Sequence, residues 1–189
     1  RGEFYAGDES IEAQGRKLKS YLQEIKDDYA MADIKITRLD LVGHSMGGLI
    51  SRFYIRASGY YGNDVRKLVM VGTPNHGVGA VKGAFGSVYA SLMAKHKIAG
   101  AELNAASELM TKLNGGEKMG AHRDPEVEYG NIYGTSIVGD GVVSEASARL
   151  NGVAFVVFPG VSHSTALPAW AFGPSITESR DVWRQVQTW

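Results

Sequence analysis

Apolar residues recur along the chain with two alternating periods, one helical and one typical of strands. Over 10–29 they keep to one face of a 3.6-residue repeat, which predicts an amphipathic helix that Asp8 or Ser10 can cap. Helical spacing returns over 46–57, and a last helix is predicted from Ser175 onward. Short apolar runs predict four strands, over 36–42, 65–71, 127–133 and 153–158.

The alternation of strands and helices predicts an α/β fold with a mostly parallel sheet that helices cover on both faces. We interpret the strand over 36–42 as buried on most sides. The inner side of the last helix is assigned to Ile176, Val182, Trp183 and Val186. No linker is long or polar enough to divide the chain, so a single domain is expected.

The stretch over 76–120 has a different composition from the rest of the chain. It is rich in Ala, Gly, Ser, Met and Lys, and weak helical patterns occur over 88–93 and 103–113. No strand pattern occurs within it. We therefore expect an insertion of short helices between the second and third strands.

Composition excludes several function classes. The 189 residues include 20 Lys and Arg and 20 Asp and Glu, so the formal net charge of zero gives no basic excess for nucleic acid or anionic membranes. Cysteine is absent, which excludes disulfides, thiolate zinc sites and cysteine nucleophiles. No carboxylate cluster has convincing calcium-ligand spacing.

The strongest motif is Gly43-His44-Ser45-Met46-Gly47, which fits G-x-S-x-G between a predicted strand and a predicted helix. A sharp turn there holds the serine in a strained conformation, and the flanking glycines allow close packing. Ser45 is then the candidate nucleophile, and the N–H of Met46 can donate to a developing oxyanion. The alternative is a glycine-rich turn with an inert serine.

A serine nucleophile needs a base, and His163 is the candidate because it directly follows the last strand. His44 lies too close in sequence to reach around to the Ser45 hydroxyl, so we interpret it as structural. The remaining histidines are His76 after the second strand, His96 in the insertion and His122 in a loop. The alternative for His163 is a capped loop histidine.

The third member of such a site orients and charge-balances the imidazole. Asp140 lies between the third and fourth strands, and the flanking glycines let the loop turn its carboxylate inward. Glu145 is the nearby competitor, whereas Asp124 precedes its strand and lies at the wrong end of the sheet. The alternative for Asp140 is an ordinary Asp-Gly turn.

Four blocks of the sequence together resemble the bacterial lipases of the α/β-hydrolase fold and the related GPI inositol-deacylase-like esterases. The resemblance implies a Ser45–Asp140–His163 triad, an oxyanion donor at Met46 and hydrolysis of carboxylic esters. Such a mechanism requires no cofactor or metal. The resemblance also implies that the insertion, about 78–120, is a cap or lid over an acyl pocket. The blocks are Leu41–Gly48, 71–77, 139–143 and Ser162-His163.

One feature departs from the family pattern. Such enzymes carry a His-Gly or similar loop after an early strand, which donates the second oxyanion N–H. Only 44 residues precede Ser45, and they contain one predicted helix and no His-Gly pair. We therefore expect 1–189 to be the C-terminal portion of an α/β-hydrolase domain, or to be completed by a separate N-terminal chain or segment.

The sequence thus predicts a serine carboxylic ester hydrolase that acts on lipid or other ester substrates. Two alternatives stay open: an acyltransferase or thioesterase with the same triad, and a non-catalytic fragment or binding domain. Apolar residues interleaved with small ones over 78–113 are compatible with a lid that opens on a lipid surface and equally with a fixed cap. Secretion is suggested by the resemblance alone.

Overall fold

A computed structural model of the chain describes residues 8–56, 61–79, 97–115, 123–135, 140–163 and 173–189. Strands alternate with helices through these ranges, as the apolar periodicity predicts. The elements in chain order are α1 (Ile11–Met31), β1 (Leu39–His44), α2 (Met46–Arg56), β2 (Val65–Val71), α3 (Lys97–Glu102), α4 (Glu108–Asn114), β3 (Glu128–Thr135), α5 (Glu145–Ala148), β4 (Ala154–Pro159) and α6 (Arg180–Thr188).

Among the described residues, the strands form one sheet in the order β1-β2-β3-β4, and each neighbouring pair is parallel. The predicted parallel sheet is therefore confirmed. Parallel pairing brings the carboxyl ends of all these strands to the same edge. In an open α/β sheet that edge is where a site is built, from the segments that follow the strands.

Alternate residues of β2 point to opposite faces of the sheet, and apolar residues on each face pack against helices. Leu68 and Met70 pack in a core cluster with residues of α1 and α2, such as Leu18 and Ile50. On the opposite face, Val69 belongs to a second cluster, whose other members include Val71, Ile132, Ile176 and Val182. The central strand is thus buried on both sides, as its near-continuous apolar run indicates.

The strand β1 differs from the prediction in its bounds and its burial. It begins at Leu39 rather than at residue 36, and it continues through Gly43 and His44. Leu39 and Leu41 pack against the first core cluster, whereas Val42 remains 45% exposed. The prediction of burial on most sides was wrong because β1 lies at an edge of the described sheet, which an apolar run does not reveal.

The last helix begins later than predicted. It starts at Arg180 with Ser179 as its N-cap, because the hydroxyl of Ser175 accepts from the nearby Thr177 N–H and forms a local turn instead of a helix cap. Ile176 is fully buried but precedes the helix. Trp183 was wrongly assigned to the inner side, since it is 36% exposed.

Only part of the predicted insertion falls within the described residues. There α3 and α4 are helical, and α4 begins at Glu108 with Ser107 as its N-cap, five residues later than the pattern suggested. The predicted helix over 88–93 and about half of the expected cap lie outside the described residues. The cap or lid therefore stays a prediction.

Candidate active site

Ser45 is the single residue between β1 and α2, and its backbone is strained. Its φ of 52° lies in the left-handed region, which costs a residue other than glycine roughly 1–3 kcal/mol. The main-chain N–H of Ser45 donates to the carbonyl of Val71 at 2.9 Å. The turn thus holds the serine against the neighbouring strand at the carboxyl edge of the sheet, where the residue is half-buried.

Glycines make this turn possible, although not the pair that the motif suggests. A Cβ on Gly43 would lie 2.6 Å from the Cα of Gly48, and one on Gly48 would collide with the Thr73 hydroxyl. At Gly47, a Cβ would meet none of the described atoms within 4 Å. The expectation of close packing is therefore met at Gly43 and, instead of Gly47, at Gly48.

His163 follows β4 and lies against Ser45. Its Nε2 is 2.9 Å from the Ser45 Oγ, and its Nδ1 is 2.7 Å from the Oδ2 of Asp140. A carboxylate can only accept, so Nδ1 carries the ring proton and Nε2 is left to accept the serine hydroxyl proton. The main-chain N–H of His163 also donates to the Asp140 carbonyl at 2.7 Å.

Asp140 is fully buried, and both of its carboxylate oxygens accept hydrogen bonds. Oδ1 accepts from the main-chain N–H of Val142 at 3.0 Å and of Val143 at 2.6 Å, which leaves Oδ2 for His163. Gly141 provides the tight turn with a φ of 93°. The hydroxyl of Tyr133 donates to the Val143 carbonyl at 3.0 Å, which supports the turn from β3.

Gly72 is a residue of this site that sequence reasoning missed. It follows β2 with a φ of 58°, and a Cβ there would lie 3.2 Å from the Nδ1 of His163 and 3.3 Å from the Oδ2 of Asp140. The backbone of Gly72 therefore forms a wall against which the Asp–His pair is seated. The signals in the sequence were a glycine at a strand end and its place in the block 71–77, and neither assigns it to the site, because such glycines are common wherever a strand leads into a tight turn.

The competing candidates lie elsewhere. Glu145 is in the first turn of α5 and pairs with Arg149 at 2.7 Å, while Asp124 accepts from the N–H of Glu126. The ring of His76 bonds to the Arg149 carbonyl at 2.9 Å. His96 and His122 are outside the described residues.

Three further points concern the Met46 oxyanion donor, metal ligands and membrane-spanning helices. Met46 is the first residue of α2, where N–H groups have no intrahelical acceptor and the helix dipole favours negative charge. Within the described ranges, no three His, Asp or Glu side chains gather to hold a metal ion. None of the helices described combines the length and apolarity needed to cross a bilayer.

The parallel sheet, with a serine on a strained strand-to-helix turn at its carboxyl edge, defines a protein of the α/β-hydrolase fold. Residues 3–138, well over half of the chain, match the family model described as PGAP1-like alpha/beta domain. The chain therefore belongs to the PGAP1-like alpha/beta domain family, as the resemblance of the sequence blocks predicted.

Several solved structures share this fold. The mature lipase BlEst2 of Bacillus licheniformis is 18% identical with a TM-score of 0.65, covering 95% of this chain and 75% of that one. Phospholipase PlaB of Legionella pneumophila is 18% identical (TM-score 0.66), covering 98% of this chain and 53% of that one. The monoacylglycerol lipase of Paleococcus ferrophilus is 14% identical (TM-score 0.50), covering 97% and 76%.

These identities are low, and the similarity therefore establishes the fold alone. The chain spans only about half the length of the phospholipase. No curated protein gives a significant sequence match.

Proposed function

We propose that this chain is a serine carboxylic ester hydrolase that acts on lipid or other ester substrates through an acyl-serine intermediate. The observation that carries the proposal is the line of hydrogen bonds from Ser45 through His163 to Asp140, at 2.9 and 2.7 Å. The solved structures of the same fold, named a lipase, a phospholipase and a monoacylglycerol lipase, favour an ester with a lipid-like acyl group.

In the acylation step, the Oγ of Ser45 attacks the ester carbonyl carbon while its proton passes to the Nε2 of His163. The carbonyl π electrons move to the oxygen, and the N–H of Met46 donates to the oxyanion that forms. Asp140 stabilises the imidazolium through Nδ1–H. The intermediate then collapses: the ester C–O bond breaks, and the alcohol leaves with the proton from Nε2.

In the deacylation step, water takes the place of the alcohol. His163 removes one proton from the water, whose oxygen bonds to the acyl carbon. The bond between that carbon and the Ser45 Oγ then breaks, and Oγ recovers its proton from Nε2. A carboxylic acid is released and the starting protonation states return, so the scheme needs no cofactor.

The oxyanion site of this scheme has one assigned donor, the Met46 N–H. Removing one donor from an oxyanion hole costs roughly 10²–10³ in rate. The His-Gly loop that supplies a second donor in the family pattern has no counterpart in residues 1–44.

The test is labelling with a fluorophosphonate probe, followed by peptide mapping, beside hydrolysis of p-nitrophenyl esters of several chain lengths. We expect label on Ser45 and turnover, and neither in Ser45→Ala. Ser51→Ala is the matched control, because it makes the same change in α2, where the hydroxyl donates to the Gly47 carbonyl. A Ser45→Ala variant with normal turnover would contradict the proposal.

The same assay separates the alternatives. Transfer of the acyl group to an added alcohol or thiol in preference to water would redirect the proposal to an acyltransferase. A folded chain that neither reacts with the probe nor hydrolyses an ester would favour a non-catalytic binding domain.

A further inference from the structure

His44 contacts the candidate base directly. Its Nε2 lies 3.0 Å from the main-chain carbonyl oxygen of His163, and the two ring centroids are 5.0 Å apart. A carbonyl oxygen only accepts, so Nε2 carries a proton and donates it. We propose that His44 is a positioning residue, which fixes the main chain of His163 and thereby holds the base within reach of Ser45. This inference rests on the proposed function.

The contact links two segments that are 119 residues apart in the chain. The N–H of His163 is held by the Asp140 carbonyl at 2.7 Å, and the carbonyl of His163 is held by His44, so its backbone is fixed on both sides. Because His44 and Ser45 are adjacent in the chain, this hydrogen bond fixes the main chain of the candidate base relative to that of the candidate nucleophile. A misplacement of about 1 Å between reacting groups can cost roughly 10²-fold in rate.

The charge state of His44 suits this role. Burial, and to a lesser extent the nearby His163, lower the pKa of His44 to about 4, while the bond to the His163 carbonyl and the Asp140 carboxylate act in the opposite direction. At neutral pH the His44 ring is therefore uncharged. It can donate one hydrogen bond without placing a second cation beside the imidazolium that forms on His163.

Three substitutions of His44 distinguish the contribution of its hydrogen bond from that of the bulk of its ring. His44→Gln places an amide N–H at the same number of bonds from the backbone as Nε2, whereas the amide of His44→Asn is too short to reach. His44→Leu keeps apolar bulk without a donor. His76→Gln and His76→Leu are matched controls, because the His76 ring also bonds to a main-chain carbonyl, that of Arg149.

We would measure kcat and KM on a p-nitrophenyl ester, the rate of fluorophosphonate labelling at Ser45, and Tm. The Leu and Asn variants of His44 should lose roughly 10–100-fold in kcat and in labelling rate, with KM little changed, and Gln should recover most of this loss. The His76 variants should keep wild-type kcat.

A His44→Leu variant with wild-type kcat would overturn the inference, as would a Gln variant that loses as much as Leu at an unchanged Tm. If His44→Leu does not fold, the comparison of Gln with Asn decides in the same way. Failure of the proposed function has a different signature, because the wild-type chain itself would then show no label at Ser45 and no turnover, and a positioning role would fall with it.

Discussion

Two groups of buried and half-buried polar side chains join distant segments of this chain, and they differ in whether a hydroxyl lies beside a group that can take up its proton. The first is the candidate active site, Ser45, His163 and Asp140. The second, which we call the Arg52 cluster, consists of Arg52, Asn75 and Asn114. Both are held by several hydrogen bonds, so burial and polarity alone do not distinguish a catalytic group from a structural one.

The Arg52 cluster joins α2 to the turn after β2 and to the end of α4. The Nη1 of Arg52 donates to the carbonyl and the side-chain oxygen of Asn75 at 3.2 and 3.0 Å. Its Nη2 donates to the Leu113 carbonyl at 3.0 Å and to the side chain of Asn114 at 2.9 Å. Burial lowers the pKa of Arg52 to about 10, so the side chain remains a cation at neutral pH.

The candidate site has two features that the Arg52 cluster lacks. Its hydrogen-bond line ends at the hydroxyl of a half-buried serine, and the neighbouring imidazole can take up the hydroxyl proton. Two of its backbone positions, Ser45 and Gly72, also have positive φ. The proposed function rests on this difference, a proton acceptor next to the hydroxyl of a half-buried serine on a strained backbone.

The largest expected effect is on Asp140. Asp140→Asn removes the acceptor that holds the Nδ1 proton of His163, and the wrong tautomer should lower kcat by roughly 10⁴-fold. The control is Glu145→Gln, which removes the competing carboxylate at an exposed position paired with Arg149. Steady-state ester hydrolysis measures both. Loss of activity in Glu145→Gln, with Asp140→Asn active, would reverse the assignment.

Next in size is a change in stability at the Arg52 cluster. Arg52→Met leaves the buried oxygens of Asn75 and Leu113, and the half-buried side-chain oxygen of Asn114, without the Arg52 donor. This loss should lower the free energy of unfolding by about 3 kcal/mol. Urea unfolding measures this change, and activity per folded molecule should be retained.

Arg184→Met is the control for Arg52→Met, because Arg184 forms an exposed pair with Asp181 and should contribute little. Equal effects of the two substitutions, or a loss of activity without a loss of stability in Arg52→Met, would remove the contrast between the clusters.

The third prediction concerns Gly72. Gly72→Ala combines a left-handed φ with contacts of 3.2 and 3.3 Å to the His163 and Asp140 side chains, and should lower kcat by roughly 10²-fold. Gly160→Ala is the matched control, because Gly160 has a φ of 73° but none of the described atoms lies within 4 Å of its Cβ position. Both variants should lose stability, but Gly160→Ala should keep its kcat. Similar kcat values for the two variants would mean that Gly72 does not seat the pair.

The smallest expected effect is a pH dependence of stability from His44. Its pKa is about 4 in the folded chain against 6.5 as the ordinary value, so the folded state binds fewer protons between these values. The stability that this shift provides is complete above about pH 6.5 and is lost as the pH falls toward 4.

Urea unfolding at several pH values between about 4 and 7 measures this contribution. His44→Gln should flatten the pH dependence in that window. His76→Gln should also flatten it, because burial lowers the pKa of His76 as well. An unchanged slope in His44→Gln would contradict the lowered pKa and the uncharged state of this ring at neutral pH.

The parts of the fold that follow local periodicity could be predicted from the sequence. The bounds of β2 match the structure, the helix after Ser45 begins at the predicted residue, and Ser10, one of the two predicted caps, is the N-cap of α1. Each of these features depends on neighbouring residues in the chain. The exposure of Val42 and the late start of α6 could not be predicted. Val42 is exposed because β1 lies at an edge of the described sheet, and α6 starts late because the Ser175 hydroxyl forms a local turn. The apolar pattern shows neither the edge position nor the choice between a local turn and a helix cap.

The sequence predicted which residues form the candidate site, because their order along the chain and their positions after strands are visible in it. Ser45, Asp140 and His163 were chosen because they follow strands in the expected order, and the structure brings them within hydrogen-bond distance. Their catalytic roles stay a prediction. Gly72 and the contact of His44 were beyond reach, because they concern which backbone atoms lie beside a side chain from a distant part of the chain.

Whether Ser45 is a reactive nucleophile is decided by the mass and peptide map of the wild-type chain after reaction with a fluorophosphonate probe. We predict the addition of one probe per chain, located on Ser45, and no addition in the Ser45→Ala variant. A folded wild-type chain that stays unlabelled, or that carries the probe on another serine, would contradict the proposed hydrolase.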